Sequence, residues 1–442
     1  MITEKTANND RSVNLNLPVN QNFLPVIISF AEKSAEIFHL GEKEKFQLVL
    51  ATDEVFTYLC QHSKSEDIIN IRCTDITYSV KLEFIFPVNE LNLKMFNITS
   101  TISPDNKDDI EELGIFIASR SVDRFQIIND HHGNMILTLY KDRKYPHIKE
   151  IIIDDHEELA EDFIIKEASP EQVKKLLYKI IKHYPDYLYP KNFYYPGKIT
   201  DMMSEGIYHI YVVLDKCDRV AGGILWTSKS QKIAQTFGPY IFNIPEPSSI
   251  CERLMDICIN SLARSEITGI FTIYLSAHLP VNYFESLRSI TLYRESQNPV
   301  IVPAFYREIK EDPGGHIWIN PLIETFIKEE YKKLFLARYM DKISNTGESK
   351  PEYSVFSSEI DRENNEVRLY PVWPGRDMEE NLIKHIETFV KENLINIFCF
   401  IDLASSWQVE FITDLVKHNF SPRLLFPYGG KSDLVIFQYE IN

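Results

Sequence analysis

Between residues 163 and 305 the chain switches repeatedly between two kinds of hydrophobic periodicity, and the order of the switches limits the folds open to it. Residues 163–168 read as a strand. Ser169-Pro170-Glu171 then sets a capping hydroxyl and a proline at the start of a helix whose apolar face is Val173, Leu176, Leu177, Ile180, Ile181 and Tyr184. Residues 208–214 and 220–226 are strands joined by the tight turn Asp215-Lys216-Cys217-Asp218. A further strand at 232–244 leads through Pro245-Glu246-Pro247-Ser248-Ser249 into a helix with Ile250, Leu254, Ile257, Cys258 and Leu262 on one face. Residues 270–276 predict a strand, 281–290 a helix and 300–305 a last strand. This order implies a mixed α/β sheet layered with helices.

The flanks carry the same kind of signal. Upstream, 15–17 alternates as a short strand, and Val26, Ile27, Phe30, Ala31, Ala35 and Phe38 recur at helical spacing, followed less cleanly by Phe46, Leu50, Val55 and Leu59. Strands at 68–73, 80–86, 125–129 and 135–140, with a helix at 110–122, complete an α+β sandwich. Downstream, 353–360 and 366–372 are strand-like, Pro374-Gly375-Arg376-Asp377 introduces a helix, 397–402 is a buried strand and 409–416 a helix closing on Asn419. Asparagine tolerates the left-handed conformation such a cap needs. A terminal strand follows at 434–439, so this third segment repeats the rear half of the middle one. Polar, turn-forming stretches at 141–162 and 341–351 divide the chain into about 1–145, 160–340 and 350–442.

Composition then narrows the function. A formal net charge of −17 does not neutralise phosphates, which excludes nucleic acid or an anionic membrane as the main partner. Apolar runs such as 23–30 are too short to span a bilayer, and residues 1–11 lack an apolar signal core. Six scattered cysteines without metal-ligand spacing read as reduced thiols in a cytoplasmic protein, with no metal site expected.

Two resemblances follow from local motifs. Ala51-Thr52-Asp53-Glu54-Val55-Phe56-Thr57-Tyr58, with Glu112-Leu113-Gly114-Ile115-Phe116-Ile117 downstream, resembles the histidine-kinase-like ATPase domain of anti-sigma-factor kinases. The resemblance implies a nucleotide site using Glu54 and Gly114, a dimer, and an anti-sigma antagonist or a sigma factor as partner. The family's Mg²⁺-binding Asn falls on Tyr58, and a phenol does not replace an amide oxygen as a hard-cation ligand. The adenine-reading Asp and Gly are missing near residues 86–89, so Mg-ATP is not expected to bind.

The middle segment resembles the GNAT acyltransferases in element order and in Asp186-Tyr187-Leu188-Tyr189-Pro190 followed by Val220-Ala221-Gly222-Gly223. This likeness implies acetyl-CoA, or another acyl-CoA, bound along Ile241 and Asn243, with its pyrophosphate at the helix start formed by Ser248, Ser249, Ile250 and Cys251. Glu246 stands where the family carries a basic or neutral residue, and Pro247 removes one amide. Tyr283, in the place of a general acid for the departing thiolate, and His278, in Ala277-His278-Leu279-Pro280, are the catalytic candidates. Tyr283 reads equally as a half-buried packing residue and His278 as a polar strand-end residue. Two functions follow: an acyl-CoA-dependent N-acyltransferase tuned by the N-terminal segment, or a non-catalytic docking or dimerisation protein in a partner-switching pathway.

Overall fold

The computed structural model describes residues 11–64, 66–87, 97, 114–115, 117–129, 134–150, 162–244, 247–278, 283–294, 297–343, 350–361 and 365–440. The first sheet contains β1 (Ser12–Pro18), β2 (Ile68–Asp75), β3 (Ser79–Pro87), β4 (Arg124–Asn129) and β5 (Asn134–Asp142), with α1 (Leu24–Ile37) and α2 (Glu42–His62) between β1 and β2. Its order is β1-β2-β3-β5-β4 and every pair is antiparallel. Leu82, Phe84, Leu137 and Leu139 share a core with Ala51, Val55 and Leu59 of α2. Of the helix expected at 110–122, residues 114–115 and 117–121 are helical and 110–113 and 116 lie outside the described residues.

The second sheet runs through β6 (Ile164–Glu167), α3 (Pro170–His183), α4 (Pro196–Ser204), β7 (Tyr208–Leu214), β8 (Val220–Ser228), β9 (Ile233–Ile241), α5 (Ser248–Leu262), β10 (Gly269–Tyr274), β11 (Glu285–Arg294) and β12 (Gln297–Glu308). The expected cap on α3 is a reciprocal pair: Gln172 N–H donates to Ser169 Oγ, and Ser169 N–H donates to Gln172 Oε1. The sheet order is β11-β12-β10-β9-β8-β7-β6, with β9 and β10 parallel and all other neighbours antiparallel. Val173, Leu176 and Ile199 of α3 and α4 cover one face, on Tyr208, Ile210 and Phe237. Leu254, Met255 and Cys258 of α5 cover the other, on Ile224, Ala234 and Ile270. Gly223 permits this closeness, because a Cβ there would lie 2.6 Å from the Tyr211 carbonyl oxygen and 2.9 Å from Leu176.

One expected element is of the wrong kind. Instead of a helix at 281–290, residues 285–294 form β11, a hairpin partner of β12. The register shifts between Ser286 and Ser289, so the strand carries an extra residue there. That bulge turns both Leu287 and Ile290 inward, and their three-residue spacing imitates a helical stripe.

Residues 315–342 add a unit not anticipated from the sequence: β13 (Gly315–Ile319), α6 (Glu324–Leu334) and β14 (Arg338–Lys342), the two strands pairing in parallel. The third sheet holds β15 (Val355–Asp361), β16 (Glu366–Trp373), α7 (Met378–Lys391), β17 (Asn396–Asp402), α8 (Ser406–Lys417), β18 (Phe420–Phe426) and β19 (Leu434–Tyr439). Its order, β15-β16-β17-β19-β18, has one parallel pair, β16 with β17. From β8 onward the second sheet runs β8-β9-β10-β12-β11 with its parallel pair at the same place, so the two sheets share strand order and direction over five strands. Asn419 has φ +62° after α8, as its cap role requires.

A single apolar core joins the second and third sheets. Phe271 of β10 stacks on Phe426 of β18 with ring centroids 4.1 Å apart. Tyr293 N–H donates to Asn396 Oδ1 at 2.8 Å, and Asn396 Nδ2 donates to the Tyr293 carbonyl at 2.9 Å. Asn97 is tied to the start of β15: its Nδ2 donates to Ser354 O at 2.8 Å and its Oδ1 accepts from Phe356 N–H at 2.9 Å, while Val355 packs in the core of the first sheet. Among the described residues no helix is long and apolar enough to cross a membrane.

Candidate functional site

The parallel pair β9 and β10 separates towards its C-terminal ends. Phe271 pairs with Gln235, but the next partners are Tyr274 and Phe237. On the other side of β9, Gly223 pairs with Tyr240 and Leu225 with Phe237, so β9 holds an extra residue between those points. Gly238 has φ +93° there, a conformation that other residues adopt only under strain. Beyond the bulge the edge of β9 facing β10 has no strand partner in β10. Thr272 Oγ1 donates to Thr236 O at 2.7 Å, and Ser276 Oγ donates to Pro239 O, bridging the start of the gap.

Tyr184, at the end of α3, occupies this edge. Ile241 N–H donates to Tyr184 Oη at 2.8 Å, and Tyr184 Oη donates back to Ile241 O at 3.1 Å. The Tyr184 ring packs edge-on against Tyr240 at 4.9 Å and Phe242 at 6.1 Å. Burial pushes its hydroxyl up to about 12, so it stays protonated at neutral pH. The polar groups of Ile241 are therefore satisfied within the protein by a side chain.

Helix α5 begins beside this gap. Its N-cap, Pro247, supplies no side-chain hydrogen bond, and its first turn carries no acidic residue. Ser248 and Ser249 are exposed there, and Asn243, with φ +52°, is exposed on the connection from β9. Ile250 and Cys251 instead face the core; burial raises the Cys251 thiol to about 12. Of the residues expected to hold a cofactor, Ile241, Asn243, Ser248 and Ser249 thus line the mouth of the gap, while Ile250 and Cys251 can offer only backbone. Amides and positive potential at such a helix start suit an anion. Glu246 lies outside the described residues.

The two catalytic candidates are not brought together. His278 is exposed beyond β10 and meets Tyr184 edge-on, with ring centroids 6.5 Å apart. Tyr283 is in 3-10 conformation just before β11, packed with the α5 face; its hydroxyl donates to Asp256 at 3.4 Å, and Arg307 sits 5.1 Å over its ring. Burial first, then the nearby carboxylates of Asp256 and Glu252, raise its hydroxyl.

In the first sheet Glu54 and Gly114 do meet: a Cβ on Gly114 would lie 2.5 Å from Glu54 Oε2. Burial, and then Asp53, raise the Glu54 carboxyl. Glu54 fills the space in front of the helical turn where a phosphate would have to sit. Tyr58 is buried, its ring 4.4 Å from that of His62.

A polar strand face of the third sheet lies near the end of β10. The third sheet presents Glu359 and Asp361 of β15, and Glu366, Arg368 and Tyr370 of β16, on the face turned away from its own core. Arg368 Nε donates to Glu366 Oε1 at 2.6 Å, and the Arg368 charge acts on the hydroxyl of Tyr274, the last residue of β10. The Glu366 charge is the chief reason the guanidinium is held above its usual range. The Tyr274 ring lies 5.2 Å from Phe237, at the register break. Burial raises its hydroxyl. Lys229, in the turn between β8 and β9, is exposed; burial first, and then the charge of Arg368, lower its ammonium. None of these residues was singled out from the sequence, where their strict alternation with apolar neighbours reads as a solvated strand face. A separate open depression of about 630 Å³, lined by Lys232, Glu266, Thr268 and Lys310 among others, lies at the opposite end of β9 and β10.

No family model and no curated protein matches the chain. Several solved structures of the GNAT class align with about a third of it. A phosphinothricin acetyltransferase from Sinorhizobium meliloti, in complex with AcCoA, shares 10% identity with TM-score 0.29, covering 34% of this chain and 90% of that one. A putative acetyltransferase from Acinetobacter baylyi shares 13%, with TM-score 0.27, covering 33% and 92%. An aminoglycoside 6'-acetyltransferase type Ii shares 14%, with TM-score 0.27, covering 34% and 99%. At these values the likenesses decide nothing by themselves.

Proposed function

We propose that the chain is an acyl-CoA-dependent N-acyltransferase built on a GNAT-like second sheet, with the third sheet as a partial copy. The observation that carries this reading is the opening of β9 from β10 directly beside the uncapped start of α5. An extended ligand with an anionic end fits that pairing: backbone edge for its length, helix start for its charge. Acyl-CoA would supply a thioester whose carbonyl carbon forms a bond to the acceptor's neutral amine nitrogen as the C–S bond breaks; the sulfur gains a proton from Tyr274, and the proton released by the nitrogen returns to Tyr274 through solvent. Tyr274, kept protonated by burial and standing at the register break, is the proton source we assign. His278 and Tyr283 are left with positioning or packing roles.

The test is a thermal-shift titration with acetyl-CoA beside Mg-ATP. A ligand bound only by the native state stabilises it by about 2.7 kcal/mol at a hundredfold excess over Kd, a shift of a few degrees. Acetyl-CoA should give that shift, and Ser249→Glu, which puts a carboxylate at the helix start, should abolish it. An unchanged melting temperature with acetyl-CoA would overturn the reading.

The alternative, a docking or dimerisation module in a cytoplasmic partner-switching pathway, is kept for the first sheet. The Glu54 carboxylate in front of Gly114 favours it, since like charge there opposes a nucleotide phosphate. Its partner class would be an anti-sigma antagonist or a sigma factor. Mg-ATP giving no shift while the first sheet captures such a protein is the outcome this reading expects.

A further inference from the structure

We propose that the third sheet holds a closed copy of the acyl-CoA site, kept shut by the side chain of Gln408, so that the chain takes one acyl-CoA and not two. The number of ligands rests on the function proposed above; the closure does not.

The strands of the third sheet part as those of the second do. β16 and β17 pair from Glu366 with Asn396 to Leu369 with Cys399. Beyond that point β16 runs on to Trp373 and β17 to Asp402, with no further pairing between them. On its other side β16 pairs Pro371 with Phe356 and Trp373 with Val355, so it carries an extra residue at the opening, as β9 does. A helix follows the bulged strand in both sheets, α5 after β9 and α7 after β16.

What fills the opening differs. Gln408, in the first turn of α8, lays its amide group across it. Asp402 N–H donates to Gln408 Oε1 at 2.7 Å, and Gln408 Nε2 donates to Pro371 O at 2.8 Å. The next amide along β17, Leu403 N–H, is turned the other way, to Asp433 O, which leaves Asp402 N–H facing β16. One acceptor for β17 and one donor for β16 are the contacts that the amide of an extended ligand would make between parted strands. In the second sheet Pro239 O is met by the Ser276 hydroxyl, which has a single proton to give and comes from the continuation of β10.

The two helix starts differ in the same sense. Gly375, ahead of α7, has its space already taken: a Cβ there would collide with the backbone nitrogen of Ser354. Asp377, at the N-cap, turns its carboxylate to Ser354 N–H at 2.6 Å, and the first turn carries Glu379 and Glu380. Carboxylates at that end repel an anionic ligand. The first turn of α5 has no acidic residue, and Ser248 and Ser249 are exposed there. The third sheet therefore offers neither a free strand edge nor an open helix start.

Two measurements on the full-length protein test this. The first needs no CoA compound: backbone amide exchange at Asp402 in the wild type and in Gln408→Leu. Asp402 N–H should be protected in the wild type and exchange about tenfold faster in the variant, while Leu403 N–H keeps its protection and reports that the sheet is intact. An unprotected Asp402 in the wild type, or equal protection in both proteins, would overturn the closure. The second is a calorimetric titration with acetyl-CoA. The wild type should bind one molecule per chain, and Ser249→Glu none. Two molecules per wild-type chain, with one retained in Ser249→Glu, would overturn the proposal. Failure of acetyl-CoA to bind at all sinks the acyltransferase reading, and the closure is then decided by the exchange at Asp402.

Discussion

Tyr184 has a double position, as a satisfied core phenol and as the occupant of a strand edge. Removing its hydroxyl leaves the Ile241 N–H and C=O facing the gap with nothing to bond, at a cost near 1 kcal/mol for each lost bond. A ligand that pairs with the same groups no longer has to displace the phenol. Tyr184→Phe is therefore expected to lower thermal stability slightly while tightening acetyl-CoA about fivefold, read in the same titration. Arg338 is the opposite kind of residue. It is fully buried between Asp433, at 2.6 Å, and Asp312, at 2.7 Å, which are themselves almost inaccessible. Burial works against ionised Asp312, but the Tyr428 hydroxyl and Arg338 still hold its carboxyl below the usual range. Arg338→Met strands two buried carboxylates and should cost about 3–5 kcal/mol, measured by denaturant unfolding. The gain from replacing the whole cluster by apolar residues would be a separate matter, because the loss lies in the unpaired charges.

At the scale of elements, α7 carries a built-in acid limit. His385 is completely buried, its Nδ1 bonded to the Asn381 carbonyl at 2.8 Å, and burial lowers it to about 4 from an ordinary 6.5. Folding therefore favours the neutral ring. Its contribution is fully present above pH 6.5 and is lost as pH falls towards 4, where the unfolded chain takes up a proton that the folded one refuses. The loss amounts to about 3 kcal/mol across that window. In His385→Leu the pH dependence of the unfolding midpoint between 6.5 and 4 should flatten; an unchanged slope would show that other groups set it. Elements also show what was legible. Helix α3 could be read because Ser169, Pro170 and Gln172 form a local cap, and local chemistry is visible in local sequence. Strand β11 could not, because its bulge sets Leu287 and Ile290 at a helix-like spacing while its identity depends on pairing with β12. The resemblance pointed to the helix start at Ser248 and Ser249, but the gap between β9 and β10 was not legible, because it depends on the register breaks around Phe237 and Gly238. The neighbours of Tyr274 were not legible either: alternation at Glu366, Arg368 and Tyr370 marks a polar face, but only tertiary packing turns that face towards Tyr274.

At the scale of the whole molecule, the second and third sheets have no seam along which to unfold separately. Phe271, Val302 and Tyr306 share their core with Phe426, Leu336 and Phe326. Calorimetry should accordingly show one transition for this body, with calorimetric and van't Hoff enthalpies in agreement, and Arg338→Met should move that transition as a unit. Two resolved peaks, one of them insensitive to Arg338→Met, would contradict the shared core. The reciprocal bonds of Tyr293 with Asn396, and the stack of Phe271 on Phe426, have a kinetic meaning as well. They rivet the two sheets together like the fixed jaws of a gauge. Neither jaw can shift without carrying the other, so the pair should move as one plate, with no slow breathing of one sheet against the other.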